Sequence, residues 1–89
     1  MNHKQNIIIT GGNRGIGYGL LKILSDKHNV IITVRDKQKG ESSIAGLGHS
    51  KNEISYVVMD VEDSDSIKRA ANDIKKRFND IDMLINNAG

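Results

Sequence analysis

Apolar positions along this chain switch between two rhythms. Ile7-Ile8-Ile9 and Val30-Ile31-Ile32-Thr33-Val34 are compact β-branched runs, the composition of parallel strands covered on both faces. Ile54-Ser55-Tyr56-Val57-Val58-Met59 and Ile81-Asp82-Met83-Leu84-Ile85 read as two further strands. Between them the spacing turns helical. Ile16, Leu20, Leu21 and Leu24 predict an amphipathic helix from Gly15 to about Lys27. Ile67, Ala70, Ala71, Ile74 and Phe78 predict another, with Ser64 as its cap. Asp63 and Asp65 sit at its start and Lys75, Lys76 and Arg77 at its end, the order that complements the helix dipole. Arg35 to about Leu47 is a weaker helical stretch. The resulting order, β-α-β-α-β-α-β, predicts an α/β fold: a parallel sheet wound by right-handed crossovers, with helices on both faces.

The first strand runs into Thr10-Gly11-Gly12-Asn13-Arg14-Gly15-Ile16-Gly17. Glycine reaches positive φ and lets a ligand approach without a Cβ in the way. The following helix aims unpaired N–H groups and a positive dipole end at the same place. A strand, a glycine turn and a helix in this order predict a phosphate seat.

Composition narrows the setting. The chain has 89 residues, 37% hydrophobic and 27% charged, enough for one domain or part of one. With no cysteine, a disulfide framework and a thiol nucleophile are excluded. His3, His28 and His49 lack metal-ligand spacing, so no metal site is expected. Apolar runs fall far short of the ~20 residues of a membrane helix, and Met1–Gln5 leaves no room for a leader before the first strand. A cytoplasmic protein that does not bind membranes is the expectation. Net charge is +2, yet residues 1–51 hold eight Lys/Arg against three Asp/Glu, and residues 52–89 five against eight. The basic half suits a polyanionic ligand. Nucleic acid is not the expected one, since only Tyr18, Tyr56 and Phe78 are aromatic.

The turn reads T-G-x-x-x-G-x-G, and three further motifs follow in order: Val34-Arg35-Asp36 after the second strand, Asp60-Val61 after the third, and Asn86-Asn87-Ala88-Gly89 after the fourth. Together they resemble the short-chain dehydrogenases/reductases, and among these the NADPH-dependent carbonyl reductases, over essentially the whole chain. The resemblance implies that residues 1–89 are the N-terminal part of a dinucleotide-binding Rossmann-type domain, cut after its fourth strand. It implies cofactor contacts from Gly11, Asn13, Arg14, Gly15, Ile16, Gly17, Arg35, Lys39, Asp60, Val61, Asn87, Ala88 and Gly89. Asp60 and Val61 would meet the adenine, and Asn13 would lie near the ribose and phosphates. Asn87 would lie near the adenosine ribose, while Asn86 ties neighbouring strands. Asp60 also reads as an N-terminal residue of the next helix.

NAD enzymes place an acidic side chain at the end of the second strand, where it would repel a 2′-phosphate. Here Val34 fills that place and Arg35 follows, a planar fork of donors suited to phosphate. With Arg14 and Lys39 as further cations, the expected cofactor is NADP(H).

Tyr18 and Lys22 have the Tyr-x-x-x-Lys spacing that the family uses in catalysis, but on the wrong helix and without the preceding serine. Tyr18 is therefore expected to pack against the sheet or cover surface, and no catalytic residue is assigned. A small carbonyl substrate belongs only to a longer chain carrying the remaining half. Alternatives are a non-catalytic NADP(H)-binding or oligomerisation module, an inactive fragment, or a family member acting on steroids, sugars or acyl chains. Oligomeric state is not specified. Met83-Leu84-Ile85 would form an unpaired apolar edge in a chain of this extent.

Overall fold

The computed structural model describes residues 4–11, 15–48, 52–78 and 80–87. Four strands form one parallel sheet: β1 (Asn6–Thr10), β2 (Asn29–Val34), β3 (Ile54–Val58) and β4 (Met83–Asn86), in the order β3-β2-β1-β4. Helices α1 (Gly15–Leu24), α2 (Lys37–Ala45) and α3 (Ser64–Arg77) are the crossovers. The predicted α/β architecture with helices on both faces is what forms.

Side-chain alternation along the strands divides the core between two faces. Ile7, Ile9, Val30, Ile32 and Val34 point to one face, where Leu21, Tyr18, Leu20 and Leu24 of α1 and Ile44 of α2 cover them. Ile8, Ile31 and Val57 point to the other, under Ala70 and Ile74 of α3 and Phe78 just beyond its end. This two-sided cover explains why β1 and β2 are unbroken apolar runs. The edge strand β4 is less protected, and Leu84 is 63% exposed.

Several element ends differ from expectation for local reasons. α1 stops at Leu24, whose carbonyl accepts from the N–H groups of both Lys27 and His28, while the Ser25 hydroxyl donates to Lys22 O. α2 begins at Lys37 because Asp36 caps it, its Oδ1 accepting from Lys39 N at 2.9 Å. Its buried residues are Gly40 and Ser43, so its packing face is small rather than greasy. The cap of α3 is Asp63, not Ser64: Asp63 Oδ1 accepts from the N–H groups of Asp65 and Ser66. An ionised cap is the stronger partner for a helix start. β3 ends at Val58, although Met59 N still donates to Val34 O. β4 is shifted toward its C-terminal end, with Asp82 Oδ2 accepting from Asn6 N at the entry.

Ile16 and Ile67 were both counted in apolar helix stripes. Both lie exposed, Ile16 at 78%. Neither packs against the two apolar clusters that cover the sheet.

Candidate functional site

The chain winds outward from β1 through β2 to β3, then returns past β1 to place β4 on its other side. The gap between the ends of β1 and β4 is therefore the point where strand order reverses. In open α/β sheets, ligands bind outside the carboxyl ends of the strands at this point.

Two threonines and one asparagine build the gap. Thr10 Oγ1, at the end of β1, accepts from Asn87 N at 2.9 Å. Asn87 Nδ2 donates to Gly11 O at 3.1 Å. Gly11 N donates to Thr33 O and Thr33 Oγ1, each at 3.1 Å, binding the turn to β2 as well. Gly11 takes φ +64° and so does Gly15, the two places among the described residues of this turn that need glycine's freedom. Gly17 meets a different need. A Cβ there would overlap Asn87 Nδ2 and lie 3.1 Å from Gly11 O, so glycine lets α1 pass this close to the end of β4 without displacing the Asn87 amide.

Next to this knot stands the start of α1. Its first turn carries no acidic residue, leaving the positive end of the helix dipole without a counter-charge of its own there. Gly15 is exposed, with open space where a Cβ would stand, and Ile16 beside it is also exposed. These features fit an anionic group brought against the turn.

The other expected contacts lie at the ends of β2 and β3. Arg35 is exposed directly beyond Val34. Lys39 Nζ lies 3.9 Å from Asp36 Oδ2, both half-exposed, so Lys39 is held near the same strand end. Asp36, Lys39, Ser42 and Ser43 border a shallow hollow on α2. Asp60 Oδ1 accepts from Glu62 N at 3.0 Å, while Asp60 N donates to Ser66 Oγ at 2.9 Å. Asp60 thus forms a short turn ahead of α3 rather than capping it. Val61 is exposed beside it. Asn86 Oδ1 accepts from Thr10 Oγ1 at 3.1 Å, tying β4 to β1. Asn13, Arg14, Ala88 and Gly89 lie outside the described residues.

Tyr18 is held away from this gap. It packs on the core between α1 and α2, its hydroxyl beside Gly46, with Lys22 Nζ 5.8 Å from its ring centre. One residue in the knot was read from sequence only as part of a strand. Thr33 was grouped with its β-branched neighbours, though it is the only hydroxyl in an otherwise aliphatic run from Val30 to Val34. That break in an apolar strand was the available signal. Among the described residues, no acidic or histidine cluster has the grouping of a metal site, and no helix is long and apolar enough to cross a membrane.

The sequence pattern of the short chain dehydrogenase family matches residues 5–89. The chain belongs to that family of oxidoreductases. It is 40% identical over 87 residues to (+)-neomenthol dehydrogenase of Capsicum annuum, covering 92% of this chain and 28% of the relative. Menthone neomenthol reductase of Mentha piperita superposes with a TM-score of 0.88 at 30% identity, over 97% of this chain and 32% of that one. An NADP active-site complex of RhlG from Pseudomonas aeruginosa superposes with a TM-score of 0.85 at 26% identity, over 96% and 34% respectively. The chain spans about a third of the length of the relatives it matches.

Proposed function

We propose that this chain is the NADP(H)-binding part of a short-chain oxidoreductase that reduces aldehyde, ketone or quinone carbonyls in its complete form. The observation that carries the reading is the gap at the strand reversal, where the Gly11 turn, Asn87 and the uncompensated start of α1 come together. The N–H groups of Gly15, Ile16 and Gly17 face the pyrophosphate, with Asn13 beside it. Arg35, Arg14 and Lys39 take the 2′-phosphate. Asp60 and Val61 border the adenine and Asn87 the adenosine ribose, with Ala88 and Gly89 as further cofactor contacts of the same motif. NADPH supplies the hydride, and the protein's part is to bind and orient it.

Support for NADP(H) over NAD comes from the end of β2, where Val34-Arg35 stands in place of an acidic residue. Support also comes from the RhlG complex, which holds NADP on a similar fold. A menthone neomenthol reductase is among the similar structures, which fits a carbonyl substrate. A cytoplasmic setting suits a chain without cysteine.

A binding module without catalysis is the second reading, since no catalytic group is assigned within these 89 residues and Tyr18, whose spacing to Lys22 matches the catalytic pair, packs between α1 and α2 under either reading. One experiment separates the two. The protein in its complete natural length is mixed with NADPH and a panel of aldehydes, ketones and quinones, and nicotinamide oxidation is followed by absorbance. Carbonyl-dependent oxidation supports the enzyme. Tight NADPH binding without turnover on any carbonyl selects the module.

A further inference from the structure

Gly11 is gripped from two strands at once. Asn87 of the β4 end takes its carbonyl, and Thr33 of β2 takes its N–H. The bond from Gly11 N to Thr33 O continues the ladder between β1 and β2. The Thr33 hydroxyl, equally distant at 3.1 Å, is additional to that ladder. Thr33 is 4% exposed and stands in register with Thr10, the last residue of β1. Valine would fill the same volume with equal preference for a strand. A hydroxyl buried at such a place costs stability unless it is bonded. The bond it makes is to the first residue of the glycine turn, where φ is +64° and the chain leaves the sheet.

We propose that Thr33 is a positioning residue for the dinucleotide turn, a role that rests on the NADP(H) reading above. Its hydroxyl gives the Gly11 N–H a second acceptor and so fixes the plane of the Thr10–Gly11 peptide. Asn87 fixes the next peptide through the Gly11 carbonyl. With both planes held, Gly11 O keeps its place against Gly17, and the N–H groups of Gly15, Ile16 and Gly17 at the start of α1 keep one direction before the pyrophosphate arrives. Binding then loses less to ordering of the turn.

The test compares Thr33→Val and Thr33→Ser in the purified protein, with NADPH affinity measured by calorimetry and melting measured without cofactor. Loss of one such hydrogen bond predicts NADPH binding weaker by about threefold to tenfold in Thr33→Val. Thr33→Ser, which keeps the hydroxyl, is expected to restore most of that loss while melting no higher than Thr33→Val. A purely structural role would make affinity follow melting temperature instead. Unchanged affinity in Thr33→Val overturns the proposal, as does a Thr33→Ser protein as weak as Thr33→Val. If Thr33→Val does not fold, Thr33→Cys takes its place, since a thiol is only a weak acceptor. An unmodified protein that fails to bind NADPH refutes the cofactor reading itself, a result distinct from equal binding by all variants.

Discussion

Gly17→Ala is the sharpest perturbation of the site, because one methyl group tests the contact between three elements. On an exposed helix position, Gly→Ala stabilises by about 1 kcal/mol through backbone entropy. At Gly17 the added Cβ overlaps the Asn87 amide and lies 3.1 Å from Gly11 O. Gly11 O, a backbone atom, would have to give by a few tenths of an ångström, and Asn87 must swing away and break its 3.1 Å bond to that carbonyl. Overpacking costs about 1–3 kcal/mol and the lost hydrogen bond about 1 kcal/mol. Set against the helical gain, Gly17→Ala is expected to destabilise by about 1–3 kcal/mol. Gly19, two residues on, has nothing within 4 Å of a Cβ position, so Gly19→Ala is expected to stabilise by up to about 1 kcal/mol. Urea unfolding of both variants gives the comparison. Trimming the obstacle in Gly17→Ala/Asn87→Ala should recover part of the loss, with a coupling of at least about 0.5 kcal/mol. Equal stability of Gly17→Ala and Gly19→Ala, or zero coupling to Asn87, would refute the account of how α1, β1 and β4 meet.

Two further outcomes follow from the charge and edge of the same sheet. Asp36→Ser keeps an α2 cap but removes the carboxylate 3.9 Å from Lys39 Nζ. Stability is expected to change by less than about 0.5 kcal/mol and NADPH affinity to rise about twofold to fivefold at low salt, an effect that calorimetry should see fade as salt is added. Weaker binding would remove Lys39 from the phosphate site. The 89-residue chain by itself is expected to self-associate through β4, and Leu84→Lys should shift its sedimentation toward the monomer; a monomeric unmodified chain at high concentration would contradict this.

The architecture was legible because β1 and β2 are so plainly apolar and β-branched, and because glycines follow β1 where the chain turns. α3 announced itself through its flanking charges, although the choice between Ser64 and Asp63 as cap depended on backbone geometry that adjacent polar residues do not reveal. α2 was faint for a physical reason. It packs through Gly40 against the Tyr56 ring, a contact built from absence of a side chain, which leaves no apolar stripe to read. In the site, Gly11, Gly15 and Gly17 were visible as a motif, but their separate duties were not. Gly11 and Gly15 serve by positive φ, whereas Gly17 serves by yielding space to Asn87. Thr33 escaped notice because its hydroxyl matters only through register with Thr10, a relation between strands about twenty residues apart in sequence.

The most direct test of the central claim is the pair of dissociation constants for NADPH and NADH, measured on the unmodified protein and on Arg35→Asp. Charge-assisted bonds from the end of β2 to a 2′-phosphate predict NADPH binding tighter than NADH by roughly tenfold or more. Arg35→Asp should erase or reverse that preference, since a carboxylate there repels the phosphate and accepts from a ribose hydroxyl. Equal affinities in the unmodified protein, or a strong NADPH preference that survives Arg35→Asp, would contradict it.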